Sequence, residues 1–204
     1  MTGFVDRLKL KEQAEEDIYF ARRDRELLGA LHRHQEVEGV IEVVSGGQTG
    51  VDRAALDAAL ELGLTVRGWC PSGRRAEDGP IADTYPLTET PSRDYAERTE
   101  WNVRDSDATL ILYRGALTGG TRLTTDLARR LGRPLCAFDL ALRSDSEEIL
   151  SWLLTNRIRA LNCAGPRESG APGIQGEAFV LLRGLFARWG ERRAEMSHSH
   201  AARP

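Results

Sequence analysis

A doubly wound, mostly parallel α/β sheet with an N-terminal amphipathic helix is the fold class predicted by this 204-residue sequence. Three observations predict it. From residue 39 to about 190, short β-branched or apolar runs alternate with helical stretches, the signature of right-handed βαβ units. Three of those runs lead into glycine-rich turns that open helices: SGGQTGVD (45–52), RGALTGGTRLTTD (114–126) and AGPRESGAPGI (164–174). Residues 5–33 carry apolar side chains at near-helical spacing, at Leu10, Ala14, Ile18, Ala21, Leu28 and Leu31, among charges of both signs.

The elements follow in order. After the first helix and the linker EVEGV, VIEVVS (40–45) reads as a strand, Asp52–Leu62 as a helix and LTVRGWC (64–70) as a strand. The polar stretch from Pro71 to Ser92 is long for a connection in such a fold, which marks it as functional or mobile. A helix is expected from about Arg93 to Arg104, a buried strand at DATLILYR (107–114) and a helix over Thr121–Leu131. Then come a strand at PLCAFDL (134–140), a helix at Glu147–Thr155, a strand at RIRALNCAG (157–165) and a closing helix at Ile174–Trp189. These divisions give a helical extension over 1–38, a ligand-binding domain over 39–190 and a disordered tail over 191–204. The stripe on residues 5–33 needs a cover, and a symmetric homo-oligomer in which the helix meets its copy would supply one.

Composition excludes several kinds of chemistry. The lysines are Lys9 and Lys11 and the histidines His32, His34, His198 and His200, so residues 35–197 contain neither type. A Walker A loop, a pyridoxal phosphate Schiff base, a Ser-His-Asp triad and an H-E-x-x-H zinc site all need one of them. Cys70, Cys136 and Cys163 are odd in number and contain no C-x-x-C, which fits neither a disulfide framework nor a zinc site. No apolar run approaches the ~18 residues of a membrane span, and the N-terminus has no signal-peptide pattern, so a cytoplasmic protein is expected. A net charge of −3 gives no reason to expect nucleic-acid binding.

What remains is anion binding at the carboxyl edge of the sheet. Glycine lets the backbone approach a phosphate, and a helix start offers free N–H groups with the positive end of its dipole. The first turn contributes Gly46, Gly47, Gln48, Thr49 and Gly50, and the second Gly119, Gly120 and Thr121. The strands before these two turns are expected to be neighbours where the winding reverses, the usual ligand site of such sheets. Arg74, Arg75, Arg114, Arg122 and Arg167 lie in or beside the loops and suit an oxyanion; Glu77 and Asp78 could instead pair with Arg74 and Arg75. Thr49 and Asp52 have capping-box spacing, with a hydrogen bond from Asp52 to a ligand sugar or ring as the alternative. The first turn is not a dinucleotide fingerprint, because Ser45 stands where glycine is required and the second strand ends in Trp69-Cys70 rather than an acid, so NAD is not expected.

The stretches GGQTGVDRAALDAALELG, GWCPSGRRAEDGPI, RTEWNVRDSDATLIL, LTGGTRLTTDLA and NCAGPRES…PGI resemble the "putative molybdenum carrier" family, over about residues 39–190. That family is grouped with YpsA-type proteins and the Lonely Guy phosphoribohydrolases. The resemblance implies a Rossmann-like, oligomeric domain that binds molybdenum cofactor or a nucleotide at its glycine turns. It places Arg74 and Glu77 to Gly79 beside the ligand and Arg98, Thr99 and Asn102 on one helix face, and offers Trp69 for stacking on a ring or for burial. The phosphoribohydrolase signature G-G-x-G-T-x-x-E aligns with 119–126, where Arg122 and Leu123 depart from it and the acid is the shorter Asp126. A carboxylate retracted by one methylene is poorly placed for catalysis, so a hydrolase acting through Asp126 is the alternative to a carrier, and a ligand sensor a third reading.

Overall fold

The computed structural model describes residues 41–142 and 146–201, with side chains as far as residue 193. The helix expected over 5–33 lies outside the described residues. The main sheet has five strands, β1 (Glu42–Val44), β2 (Thr65–Arg67), β7 (Ala108–Tyr113), β8 (Leu135–Asp139) and β9 (Ala160–Ala164). All its pairings are parallel and its order is β2-β1-β9-β7-β8. The helices are α1 (Val51–Glu61), α2 (Tyr95–Arg104), α3 (Gly119–Arg130), α4 (Glu147–Thr155) and α5 (Ile174–Ala201).

Counting β9 as the first strand turns this order into 3-2-1-4-5, the doubly wound arrangement, so the chain enters the fold at its second strand. One expectation is corrected here: β1 and β7 are not neighbours, because β9 lies between them. The winding reverses between β9 and β7. Right-handed crossovers leading in opposite directions from this point place α1, α4 and α5 on one face and α2 and α3 on the other, in accord with the packing of α5 on α1 and α4 and of α2 on α3. Alternate side chains of the strands feed the larger core, where Leu110, Leu112, Leu161 and Cys163 meet Leu56, Leu182, Phe186 and Trp189.

Two segments differ from expectation. The run LTVRGWC is divided at Gly68 (φ 153°), where a side chain would lie 2.0 Å from the Ser45 carbonyl oxygen, so Trp69 and Cys70 leave the main sheet. They form β3 (Trp69–Cys70), paired with β6 (Thr88–Glu89), and between them β4 (Arg75–Ala76) and β5 (Gly79–Pro80) make a small antiparallel ribbon. The closing helix runs on to Ala201, so the expected irregular tail is helical over 191–201. Among the described residues, no helix is long and apolar enough to cross a membrane.

Candidate functional site

A cleft of about 410 Å³ opens at the carboxyl edge of the sheet. Its walls are the turn after β9 (Ala164 to Arg167 and Ser169 to Ala171), the turn after β7 with the start of α3 (Arg114, Ala116, Thr118 to Thr121, Leu123, Thr124), the start of α2 (Tyr95, Arg98, Thr99), and Gln48 and Asp52. This is the crevice at the switch point between β9 and β7, where doubly wound sheets bind ligands.

Four helices begin around this cleft; α2 is capped by Asp94, whose carboxylate accepts from the Ala96 N–H at 3.0 Å, and the amides of the other three have different fates. At α1, the Gly50 N–H donates to Gln175 Oε1 (3.1 Å) and the Val51 N–H to the Pro166 carbonyl (3.3 Å). Beside it, the Glu77 carboxylate accepts from the Ser169 N–H (3.1 Å) and from the hydroxyls of Thr49 and Ser169. At α5, the Glu168 carboxylate accepts from the N–H groups of Gly173 and Gln175 (2.5 and 3.0 Å). The protein therefore supplies its own side-chain acceptors at three of the four helix starts. At α3 the N-cap residue, Thr118, makes no side-chain cap. A side chain built on Gly119 or Gly120 would meet nothing within 4 Å, so packing demands neither glycine, although Gly119 adopts φ 51°.

The inner wall is charged and buried. Asp52, 4% exposed, accepts from Arg98 Nη1 at 2.9 Å. Burial pushes the Asp52 carboxyl above its ordinary range, against the opposing pull of Arg98. Gln48 Oε1 accepts from the N–H groups of Thr49 (3.1 Å) and Glu77 (2.9 Å), while its Nε2 is buried without a partner. The Tyr95 ring carries the Arg167 guanidinium at 4.7 Å, with Arg75 at 5.8 Å and Arg98 at 6.0 Å. Arg167 has no carboxylate partner among the described residues.

Of the residues singled out in the sequence, Gln48, Asp52, Arg98, Thr99, Arg114, Gly119, Gly120, Thr121 and Arg167 line the cleft. The others are placed elsewhere, for stated reasons. A side chain on Gly46 would collide with Arg98 and Asp52, one on Gly47 with Leu87 and Ile81, and one on Gly50 with the Pro166 carbonyl, so these glycines make room for protein groups. Thr49 and Asp52 form no capping box: the N-cap of α1 is Gly50, Thr49 bonds Glu77, and Asp52 pairs with Arg98. Arg74 is spent on loop carbonyls, and Asp78 pairs with Arg53 instead of either expected arginine. Asn102 bonds both the N–H and the carbonyl of Trp69, whose ring meets Trp101 edge-on and donates to Asp105, so Trp69 is outside the cleft. Arg122 and Asp126 are exposed and face each other at 3.9 Å along α3. Within the cleft, Arg114 is committed to Glu177 and the Pro172 carbonyl.

Tyr95, Pro166 and Ser169 to Ala171 were not singled out as site residues in the sequence, although the glycine turn 164–174 and its Arg167 were. A tyrosine opening a helix looks like any half-buried aromatic, and the turn's role depends on β9 being central.

The Glu77 carboxylate beside the α1 start gives a pH prediction. Burial opposes ionisation of Glu77, but hydrogen bonds from Ser169 and Thr49 outweigh it and hold its carboxyl below the ordinary 4.5. A folded-state value below the unfolded one adds stability above that range, which is lost as the pH falls through it. Glu77→Gln is expected to melt below the parent chain at neutral pH, with the gap closing between about pH 5 and 3. Thermal unfolding of both proteins across that range checks it, and a gap independent of pH would contradict the carboxylate's role.

A permuted doubly wound sheet with its crevice at the switch point defines a class, the Rossmann-like domains that hold ligands at the carboxyl edge of their strands. Within that class the chain belongs to the circularly permutated YpsA SLOG family, whose model matches residues 43–186. The chain is also 42% identical to a solved structure from Syntrophus aciditrophicus, a "Putative molybdenum carrier protein", with a TM-score of 0.69 over 72% of this chain and 96% of the other. No curated protein matches the chain.

Proposed function

We propose that the chain is a binding protein for a small phosphorylated ligand with a planar ring, seated in the cleft with its anion at the start of α3. One observation carries this reading. Of the four helix starts around the cleft, that of α3 has no side-chain acceptor among the described residues, and Arg167, stacked on Tyr95 and without a carboxylate partner among the described residues, stands in the same cleft. The Gly119 and Gly120 amides, ahead of those of Thr121 and Arg122 that donate to the Thr118 carbonyl, join the helix dipole and a guanidinium in suiting a phosphate. The carrier name of the 42% identical relative makes molybdenum cofactor the first candidate, and a nucleotide has the same two parts. The α3 amides and Arg167 would hold the phosphate of either, and Gln48 faces the rest.

A carrier fits these residues better than a hydrolase. The hydrolase reading relies on Asp126, which sits on the exposed side of α3 beside Arg122. Incubation with nucleoside monophosphates is expected to release no free base.

Gly120→Val is the direct test, because the added side chain points into open space and leaves the core untouched. Native mass spectrometry of protein purified from its own host is expected to show a bound ligand in the parent chain. In Gly120→Val and Arg167→Ala that ligand is expected to fall by about tenfold or more. Equal loading of the folded variants would overturn the site. For residues 5–33 we propose pairing with the same helix of a second copy. Light scattering is expected to show a smaller assembly once residues 1–36 are removed, and an unchanged stoichiometry would end that reading.

A further inference from the structure

We infer that Gln48 makes the cleft selective for a heterocycle presenting a ring carbonyl oxygen, as oxopurines and oxopteridines do, over one presenting an amino group there, as adenine does. The inference rests on the cleft being the ligand site, and goes beyond it by naming the ring chemistry.

The orientation of this amide is settled by its neighbours. Two backbone N–H groups, of Thr49 at 3.1 Å and Glu77 at 2.9 Å, point at one end of the side chain, so that end is the oxygen. The other end is therefore the NH₂ group, which donates and cannot accept. Gln48 is 3% exposed, lines the cleft, and its Nε2 has no partner among the described residues. A buried donor without an acceptor is costly, and a ligand in the cleft can supply the acceptor that the protein does not. A ring carbonyl does so. An exocyclic amino group sets donor against donor.

The neighbouring groups extend the same pattern. Asp52, four residues further on, lines the same wall and is held in place by Arg98, whose Nε is also buried without a partner. In oxopurines and oxopteridines a ring N–H adjoins the carbonyl, and a carboxylate beside a fixed amide donor offers that N–H an acceptor. Adenine has no such N–H. The cleft's 410 Å³ is within the usual range for small-ligand sites.

Isothermal titration of the full chain with GMP, neopterin monophosphate, AMP and ribose 5-phosphate tests this. GMP, neopterin phosphate or both are expected to bind at least about tenfold more tightly than AMP, and the stronger of the two tells a purine source from a pteridine one. Gln48→Glu keeps an oxygen for Thr49 and Glu77 but replaces the donor by an acceptor, so it is expected to erase or reverse the preference over AMP. Parent protein that binds AMP as tightly as the oxo compounds, with ribose 5-phosphate also bound, would overturn the inference and leave the anion site standing. A folded Gln48→Glu protein with an unchanged ratio would overturn it too. If none of the four probes binds, the ligand-site reading and this inference fall together.

Discussion

At neutral pH the Arg98→Ala variant is expected to be about 3–5 kcal/mol less stable than the parent chain, the usual consequence of leaving a buried charge without its partner. Asp52 is 4% exposed and takes a hydrogen bond from Arg98 at 2.9 Å. Burial already drives its carboxyl upward, and loss of Arg98 removes the largest opposing influence. A carboxyl whose folded-state value lies above the unfolded 3.8 favours folding fully below that value and loses this contribution as the pH rises through the folded one. The deficit of Arg98→Ala should therefore shrink as the pH is lowered from 7.5 toward about 4.5 and Asp52 takes up a proton. Urea unfolding at several pH values checks this. Adding Asp52→Asn should recover part of the loss at pH 7.5, because the uncompensated charge is gone. A deficit that is flat with pH and unrelieved in the double variant would show that Arg98 acts through packing alone. Gly46→Ala should resemble Arg98→Ala, since its side chain would lie 1.8 Å from Arg98 Nη1.

Arg74→Ala is expected to cost about 2–4 kcal/mol, from the loss of several charge-assisted hydrogen bonds at once. The guanidinium donates to the carbonyls of Ile81 (2.9 Å), Leu87 (3.0 Å), Ala82 (2.8 Å) and Tyr85 (2.9 Å), gathering the stretch from Pro71 to Ser92 around one side chain. The same stretch is tied to α1, where the Tyr85 hydroxyl donates to Asp57 at 2.6 Å; burial and that carboxylate push the phenol up to about 12. Arg74 also sits at φ 48°, so alanine inherits the backbone strain without the bonds that offset it. Arg75 is exposed and reaches the Tyr95 ring at 5.8 Å, so Arg75→Ala should change stability by less than about 0.5 kcal/mol. Chemical denaturation of the two variants, with proteolysis mapped within 71–92, separates them. Ligand affinity lost without any loss of stability in Arg74→Ala would restore the place beside the ligand expected from the sequence.

The two adjacent arginines show what the sequence by itself determines and where the tertiary structure takes over. Strands, helices and glycine turns were legible because each is written in a local pattern: the apolar run 108–113, the periodic faces of α1 and α3, and the strand-glycine-helix sequence at three places. The carboxyl edge of the sheet followed from that pattern, and Gly119, Gly120, Thr121 and Arg167 with it. Strand order did not follow, because parallel pairing joins residues far apart in the chain, such as Val43 and Leu161, through backbone bonds that carry no local mark. With β9 between β1 and β7, the cleft lies between the turns after β9 and β7. Which helix start stays open was likewise decided only in three dimensions. Gln175 and Glu77 reach the start of α1 and the neighbouring Thr49 from other elements, and such partners depend on where folding carries them, whereas Glu168 caps α5 from the loop just before it. Arg74 and Arg75 look alike in sequence, but one turned toward four carbonyls and the other toward solvent, because the loop's own path determines which unpaired acceptors lie within reach.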